Sequence, residues 1–175
     1  MIIRLFVLLC LFQADILIAL EKGRSCFLEA AEYHKVDPWL LLAIAENESS
    51  FNPRPEDNVN RDGSRDVGLM QINSLWFPVL KKKYGITVGD LYKPCVNLFV
   101  GAWILKGSLT IHKDKMHGIG GYNAGHRKTK LRSKLRLAYA RRVIRSYNRL
   151  RRMHGDRFPG EKPGKNSLRK GVPDE

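Results

Sequence analysis

Two glutamates stand at the end of an apolar helical run, in the stretch LLLAIAENESSFNP at residues 40–53. Each residue of a helix advances by about 100°, so Glu48 shares a face with Leu41 and Ile44, whereas Glu46 points away from that face. A carboxyl group beside apolar side chains favours its neutral form and can then protonate a leaving oxygen. Glu48 is therefore a candidate general acid, and Glu46 is predicted to lie on a solvated face. The alternative is that Glu48 simply reaches solvent or an ion pair.

The segments around these residues predict a mainly α domain. Helices are expected over residues 26–35, over the stretch that follows Asp37 as N-cap and Pro38 at the first helical position, and over 67–83, 95–112 and 131–153. Residues 52–66 carry the Pro, Asn and Asp-Gly chemistry of a loop, and the glycine-rich stretch 116–128 is expected to connect two helices. Strand signals are scarce.

The length and composition fit one globular domain. The chain has 175 residues, of which 43% are hydrophobic, enough for a real core. Residues 1–20 place Arg4 before an apolar stretch and are interpreted as an export signal; a membrane-spanning helix is the rival, because the stretch is near the lower length limit for one. Residues 21–154 form the predicted domain, and residues 155–175 a basic tail that is predicted to be disordered.

Two cysteines, Cys26 and Cys95, would remain after export. Two thiols in an oxidising compartment usually pair, and a bridge closing so long a loop contributes about 4 kcal/mol in the chain-entropy picture. The alternative is two independent buried cysteines.

The positive charge is concentrated near the C-terminus. The formal net charge is +14; residues 1–125 hold 14 Lys and Arg against 13 Asp and Glu, whereas residues 126–175 hold 17 against 4. In the helix predicted there, Leu131, Leu135, Ala138 and Val143 form the expected inner stripe. The arginines outside it are either a plain solvated face or a contact for an anionic envelope polymer or an acidic secretion-apparatus component. The neutral first 125 residues and the export signal argue against nucleic acid as the partner.

The remaining chemistry-bearing residues form no recognisable constellation. The five histidines lack the spacing of paired metal ligands, and the sequence has neither a phosphate-binding glycine loop nor a motif for a nucleophilic serine or cysteine. No metal and no cofactor are therefore expected.

Four motifs in register identify a family. ESSFNP at 48–53, GLMQIN at 68–73, YNAG at 122–125 and Tyr139 on a late helix resemble, in order and spacing, the soluble lysozyme-like lytic transglycosylases over about residues 25–150. NRDGSRDVGLMQIN and PCVNLFVGAWIL further resemble the small exported members associated with type III secretion and invasion, the IagB/IpgF-like group. The resemblance implies a lysozyme-like single domain located in the periplasm or exported.

The resemblance also implies roles for single residues. Glu48 matches the family's catalytic acid and base, and Tyr139 matches the hydroxyl that orients it. The residues expected to bind substrate or to shape its site are Ser49, Gly68, Met70, Gln71, Tyr122 and Asn123. Gly68 is expected to let the backbone approach a sugar, while Leu69 and Ile72 are expected to pack in the core.

The reaction implied is cleavage of the β-1,4 bond between N-acetylmuramic acid and N-acetylglucosamine in peptidoglycan strands, with a 1,6-anhydro ring formed and no water used. The wall would be opened locally for a secretion apparatus. Asp66 either joins Glu48 across the cleft, which would permit lysozyme-like hydrolysis, or caps the next helix. A non-catalytic peptidoglycan-binding scaffold is the further alternative.

Overall fold

A computed structural model of the chain describes residues 26–55, 59–155 and 157–159. These parts contain six α-helices and two short strands. The mainly α, single-domain prediction is confirmed. The predicted export signal lies outside the described residues. The helices are α1 (26–34), α2 (Pro38–Ser49), α3 (Phe77–Tyr84), α4 (Pro94–Ile111), α5 (Lys115–Ala124) and α6 (Lys130–His154), and the strands are β1 (Asp66–Val67) and β2 (Ile72–Asn73).

Helix α2 begins and ends with local signals that the sequence makes plain. The Asp37 carboxylate accepts a hydrogen bond from the backbone N–H of Trp39 at 2.8 Å, and Pro38 occupies the first turn, where no N–H is needed. The helix ends where Ser50 adopts a left-handed conformation, with φ of 52°. Leu41 and Ile44 are completely buried, and the helix packs against α6. This packing brings the last turn of α2 next to the middle of α6.

Helix α4 is the apolar helix that runs through the core. It is long and apolar enough to cross a membrane by length and composition alone. Its polar side chains Asn97 and Ser108 are nevertheless buried and hydrogen-bonded to backbone carbonyls of other segments. These contacts are those of a core helix in a globular domain.

The prediction of a helix over residues 67–83 is wrong for the first half of that range. Gly68 and Gln71 have φ of +77° and +48°, which lie in the left-handed region and cannot continue a right-handed helix. The chain instead makes a tight antiparallel hairpin, in which Asp66 pairs with Asn73 and Val67 with Ile72. A turn of 3₁₀ helix at Ser74–Trp76 then leads into α3.

The glycine-rich stretch 116–128 is also not the connector that was expected. Most of it is α5, whose first turn is capped by Asp114, which accepts from the His117 N–H at 2.9 Å. A Cβ at Gly120 would lie 2.2 Å from the Arg136 carbonyl oxygen. The absence of that side chain lets α5 pack backbone to backbone on α6.

The inner face of α6 differs from the predicted stripe. The buried residues are Arg136, Tyr139, Ala140, Val143 and Leu150, so only Val143 matches. Leu131 and Leu135 are 66% and 44% exposed, and Ala138 is exposed. Arg136 replaces them inside because its Nη1 atom donates to the carbonyls of Gly125 and Arg127 at 3.0 and 3.1 Å, which offsets part of the cost of burying the guanidinium.

Two contacts close the domain near its termini. Cys26 and Cys95 form a disulfide with Cα atoms 5.2 Å apart, which links α1 to the first turn of α4. Phe158, which the sequence analysis placed in the tail, is 3% exposed and packs against Phe27 and Trp39. The core therefore continues past residue 154; residues 160–175 lie outside the described part of the chain.

Candidate active site

A cleft of about 1030 Å³ lies between the hairpin region and the α5–α6 corner. Its walls come from the end of α2, from the segment 60–76 and from the segment 121–132, together with one residue of α4. The lining residues are Glu48, Asn60, Arg61, Asp62, Ser64, Asp66, Gln71, Asn73, Leu75, Trp76, Ile104, Gly121, Tyr122, Asn123, Ala124, Gly125, His126, Arg127 and Arg132. A concave site of this size with a few polar groups is typical of a ligand-binding cleft.

Glu48 lies at the edge of the core and lines the cleft. Its Oε1 atom accepts a hydrogen bond from the Tyr139 hydroxyl at 2.5 Å. The tyrosine is 2% exposed and projects from the buried face of α6. Because the tyrosine is fixed by packing, it holds the carboxyl group in one orientation.

Burial raises the pKa of the Glu48 carboxyl to about 7. The Tyr139 hydrogen bond opposes this, the negative charge of Asp66 raises the pKa further, and the charge of Arg142 lowers it. Burial also raises the pKa of the Tyr139 hydroxyl well above its usual range, so the tyrosine remains a hydrogen-bond donor. Near neutral pH, Glu48 is thus divided between its acid and its carboxylate form, as a group that must act first as acid and then as base requires.

Asp66 is the second carboxylate of the cleft. It does not cap a helix: it belongs to β1, and its Oδ2 and Oδ1 atoms accept from the side-chain amides of Asn60 at 2.9 Å and Asn73 at 2.8 Å. Asn73 is its partner in the strand register. The two amides orient the carboxylate, and its charge acts on Glu48.

The hairpin turn at residues 68–71 is built around a buried asparagine. The Asn97 Oδ1 atom accepts from the Met70 N–H at 2.6 Å, and its Nδ2 donates to the carbonyls of Val67 and Leu91 at 2.9 and 2.8 Å. A Cβ at Gly68 would meet this asparagine at 2.2 Å. The glycine therefore serves packing and a positive φ at this point, rather than the approach to a sugar that was expected.

Two hydroxyls fasten the same turn from opposite sides. Ser49, next to the candidate acid, donates to the Leu69 carbonyl at 2.7 Å, and Tyr122 donates to the Met70 carbonyl at 2.7 Å. The end of α2, the turn and α5 are thereby linked. Motifs far apart in the sequence thus support one another in space.

The predicted site residues occupy three positions. Glu48, Asp66, Gln71, Tyr122 and Asn123 line the cleft. Tyr139 and Met70 are buried behind it, with Met70 packed against Gly101 rather than presented to a ligand. Gly68 and Ser49 shape the turn. Leu69 and Ile72 are buried, as the sequence analysis expects.

Glu46 does not lie on a solvated face as predicted. It pairs with Arg149 of α6, and its side chain is 21% exposed. Residues 39–45 of α2 are all buried, so the helix has no solvated side there, and the pairing of Glu46 with α6 depends on tertiary packing.

Several contributors to the site were missed. Asn60 and Asn73 hold Asp66, Asn97 holds the turn, and Trp76 adds an aromatic surface to the cleft. Asn73 ends the GLMQIN motif, which was a usable signal, whereas Asn97 stands in an apolar helix with nothing local to reveal its partners. Among residues 26–55, 59–155 and 157–159, no group of three or more possible metal ligands occurs.

The chain matches known proteins over most of its length. Residues 25–145 match the family described as Transglycosylase SLT domain. The chain is 39% identical over 133 residues to "Invasion protein IagB" of Salmonella typhi, covering 75% of this chain and 81% of that protein. It is 37% identical over 147 residues to "X polypeptide" of Escherichia coli (81% and 83% covered) and 34% identical over 146 residues to "Protein IpgF" of Shigella flexneri (83% and 90% covered).

The match includes every motif that builds the cleft, from the glutamate at the end of α2 to the tyrosine of α6. SLT-domain proteins are lytic transglycosylases that act on peptidoglycan. From its sequence match and from the site that it assembles, the chain belongs to the transglycosylase SLT family, in the group of IagB and IpgF.

Proposed function

We propose that the chain is an exported peptidoglycan lytic transglycosylase that cleaves the β-1,4 bond between N-acetylmuramic acid and N-acetylglucosamine. The observation that carries the proposal is the hydrogen bond of 2.5 Å from a buried tyrosine to a carboxyl group with a raised pKa at the wall of a large cleft. A protein that only binds peptidoglycan has no use for such an acid.

In the first step the neutral Glu48 carboxyl gives its proton to the glycosidic oxygen. The bond from that oxygen to C1 of N-acetylmuramic acid breaks, the N-acetylglucosamine alcohol leaves, and positive charge develops at C1. Tyr139 keeps the carboxyl aimed at one place, and the Asp66 carboxylate lies where it can stabilise the cationic sugar.

In the second step the same carboxylate, now a base, takes the proton from the C6 hydroxyl of the muramic sugar. The C6 oxygen bonds to C1 and closes the 1,6-anhydro ring, which returns Glu48 to its acid form. No water enters, so one carboxyl performs both proton transfers, where ordinary glycosidases use two carboxyl groups. A pKa close to neutrality suits both directions of transfer.

Binding of the glycan strand falls to the polar and aromatic lining of the cleft. Gln71 holds its amide with one bond to the Gly68 carbonyl at 2.9 Å, which leaves its oxygen for a sugar N–H or O–H. Asn123 is exposed on the opposite wall, and Trp76 offers an apolar ring face to a sugar ring. These groups recognise an uncharged, hydroxyl- and amide-rich polymer.

The biological setting proposed is local opening of the wall for a secretion apparatus. One relative is named an invasion protein, and residues 1–20 have the character of an export signal. An enzyme delivered to the periplasm meets peptidoglycan there.

The direct test is release of muropeptides from purified peptidoglycan by wild type and by Glu48→Gln. We expect turnover to fall by about 10²-fold or more while circular dichroism remains unchanged, because glutamine keeps the shape but has no proton to give. Glu46→Gln, two residues away, is the matched control and should retain most of the activity. Equal release by wild type and Glu48→Gln would end the assignment of Glu48 as the acid, whereas no release by wild type would leave only a binding scaffold.

A second candidate function, lysozyme-like hydrolysis, is favoured by one observation: Asp66 is held in the cleft by two asparagine amides. Mass spectrometry of the products distinguishes the two reactions, since the anhydro product is lighter by one water. We expect anhydro products from wild type, and from Asp66→Asn the same products at a rate about 10-fold or more lower. Hydrolysed products that vanish in Asp66→Asn would instead make Asp66 a base that activates water.

A further inference from the structure

Helix α6 carries a narrow stripe of cations that the site does not use. With about 100° per residue, five exposed residues fall within about 60° of one another around the helix and extend over about 33 Å of its length. We call them the basic stripe: Lys130, Lys134, Arg141, Arg145 and Arg152. In the part of the chain that the structure describes, they make no side-chain hydrogen bond or ion pair.

Other arginines of the same helix are engaged. Arg149 pairs with Glu46, Arg136 is bound to backbone carbonyls, and Arg142 lies over the Tyr139 ring at 5.4 Å. The stripe therefore collects the cations that folding leaves unused.

The stripe costs the helix stability. Helix α6 contains no acidic residue, and like charges four residues apart, such as Lys130 with Lys134 and Arg141 with Arg145, destabilise a helix. Lys130 also lies in the first turn, where the helix dipole disfavours a cation. A surface that only needs solvation is usually made with both signs of charge, so this arrangement points to an anionic partner.

The stripe faces away from the cleft. Tyr139, which touches the catalytic carboxyl, lies about 150° around the helix from the middle of the stripe and is buried. A partner bound to the stripe would leave the cleft open.

Exposed apolar side chains border one side of the stripe. Leu131, Leu135 and Met153 are 66%, 44% and 65% exposed, and they lie about 70° to 110° from the middle of the stripe. Cations beside exposed apolar side chains form the combination by which helices bind the interface of an anionic bilayer. A soluble polyanion would bind the cations but would gain nothing from the leucines.

We propose that the basic stripe docks the domain on the surface of a bilayer containing anionic phospholipid. The cations contact the headgroups, Leu131 and Leu135 enter the interface, and the cleft is presented to the glycan strands outside the bilayer. The docking is peripheral and reversible. It rests on the surface of α6 and does not depend on the proposed catalytic activity.

Co-sedimentation with vesicles tests the proposal. The mature domain should bind vesicles of phosphatidylglycerol and phosphatidylethanolamine at low salt, release them at about 0.5 M salt, and ignore phosphatidylcholine vesicles. A fourfold variant, Lys134→Gln, Arg141→Gln, Arg145→Gln and Arg152→Gln, should lower the partition coefficient by about tenfold or more. Its circular dichroism and its activity on soluble glycan fragments should match wild type.

A control variant that removes the same charge from another surface tests whether binding needs the basic stripe or only the net charge of the domain. Lys81, Lys82, Lys83 and Lys106 are exposed elsewhere on the domain, and changing all four to Gln removes the same charge. This control variant should bind the vesicles nearly as well as wild type. An equal loss in both fourfold variants, or no binding by wild type, would overturn the proposal.

A second variant separates lipid from a polyanionic or acidic protein partner. Leu131→Gln with Leu135→Gln should weaken vesicle binding by about threefold or more while leaving retention on a polyglutamate column unchanged. Wild-type retention by polyglutamate without binding to anionic vesicles would assign the stripe to an acidic protein or polymer instead.

Discussion

At the scale of single residues, the chemistry of the site follows from where the Glu48 carboxyl is placed. Burial at the end of α2 raises its pKa to about 7, and the Tyr139 hydroxyl lowers the pKa and fixes the direction of the group. In the proposed mechanism, a pKa near neutrality lets the same carboxyl act as the acid before bond cleavage and as the base after it. Burial supplies the raised pKa, and the Tyr139 hydroxyl supplies the fixed orientation of the carboxyl.

Replacing Tyr139 by phenylalanine separates these two effects. The hydrogen bond favours the ionised form of Glu48, so its loss should raise the pKa of the carboxyl. We expect the alkaline limb of the kcat/KM profile to move by about one pH unit to higher pH. Turnover at the optimum should fall by about tenfold, because the acid is less well oriented. Measuring activity over the pH range gives both quantities.

Tyr147→Phe is the matched control, because it removes the same atom from the same helix. Tyr147 donates to Asp37 at 2.8 Å at the start of α2, and so its hydroxyl is not bound to the Glu48 carboxyl. Its pH profile should equal that of wild type. If Tyr139→Phe also leaves the alkaline limb where it is, then the hydroxyl does not act on Glu48 during turnover.

Residues whose role follows from local pattern were predictable, and those whose role follows from tertiary packing were not. Helical periodicity is a local property, and it correctly placed Glu48 at the edge of the core, but it wrongly put Glu46 on a solvated face. The ion pair of Glu46 with Arg149 joins residues about one hundred positions apart, and the burial of Met70 depends on Gly101 of another helix. Neither pairing can be obtained from spacing alone.

At the scale of elements, the hairpin at residues 66–73 is the segment that the sequence pattern wrongly predicted to be helical. The pattern of Leu69, Met70 and Ile72 fits an apolar helix face, and all three side chains are buried. However, the backbone that carries these side chains is a hairpin turn, with left-handed conformations at Gly68 and Gln71, and not a helix. The Asn97 side chain competes with a helix here, because it binds the Met70 N–H and the Val67 carbonyl of this segment and ties them to the Leu91 carbonyl. Helices α2 and α4 both begin with a proline in the first turn, a local signal that the sequence shows directly.

Asn97→Ala should therefore be costly to the hairpin. It leaves the Met70 N–H and the carbonyls of Val67 and Leu91 buried without these partners, and the free energy of unfolding should fall by about 3 kcal/mol or more. Urea denaturation followed by circular dichroism measures the change. Asn123→Ala, at an exposed asparagine of the cleft wall, should change it by about 0.5 kcal/mol or less. Equal stabilities of the two variants would mean that the turn is held by other contacts.

At the scale of the whole molecule, the two proposed functional surfaces lie on different sides of the domain. The cleft gathers the motifs of α2, the hairpin and α5, and the basic stripe occupies the opposite side of α6. The charge asymmetry of the sequence predicted an anionic contact for the C-terminal part, but not which side of the helix would be free. That depended on Arg136 and Tyr139 turning inward and the two leucines outward.

The stability of the whole domain is also tied to the acid in the cleft. A carboxyl whose pKa is raised in the folded state, here from 4.5 to about 7, holds its proton more tightly when folded than when unfolded. Its contribution to stability is fully present below the pKa of the unfolded chain and is lost as the pH rises through the folded pKa. Above neutral pH the ionised Glu48 should therefore lower the free energy of unfolding, by about 3 kcal/mol at most.

Glu48→Gln has no such proton, and its stability relative to wild type should depend on pH. We expect the difference in the free energy of unfolding, variant minus wild type, to rise by about 2–3 kcal/mol between about pH 4 and about pH 8.5. Other titrating groups are common to both proteins and cancel in that difference. Urea denaturation at several pH values measures it. A difference that stays constant would mean that the carboxyl ionises as readily in the folded protein as in the unfolded chain, and the acid role assigned to Glu48 would lose its physical basis.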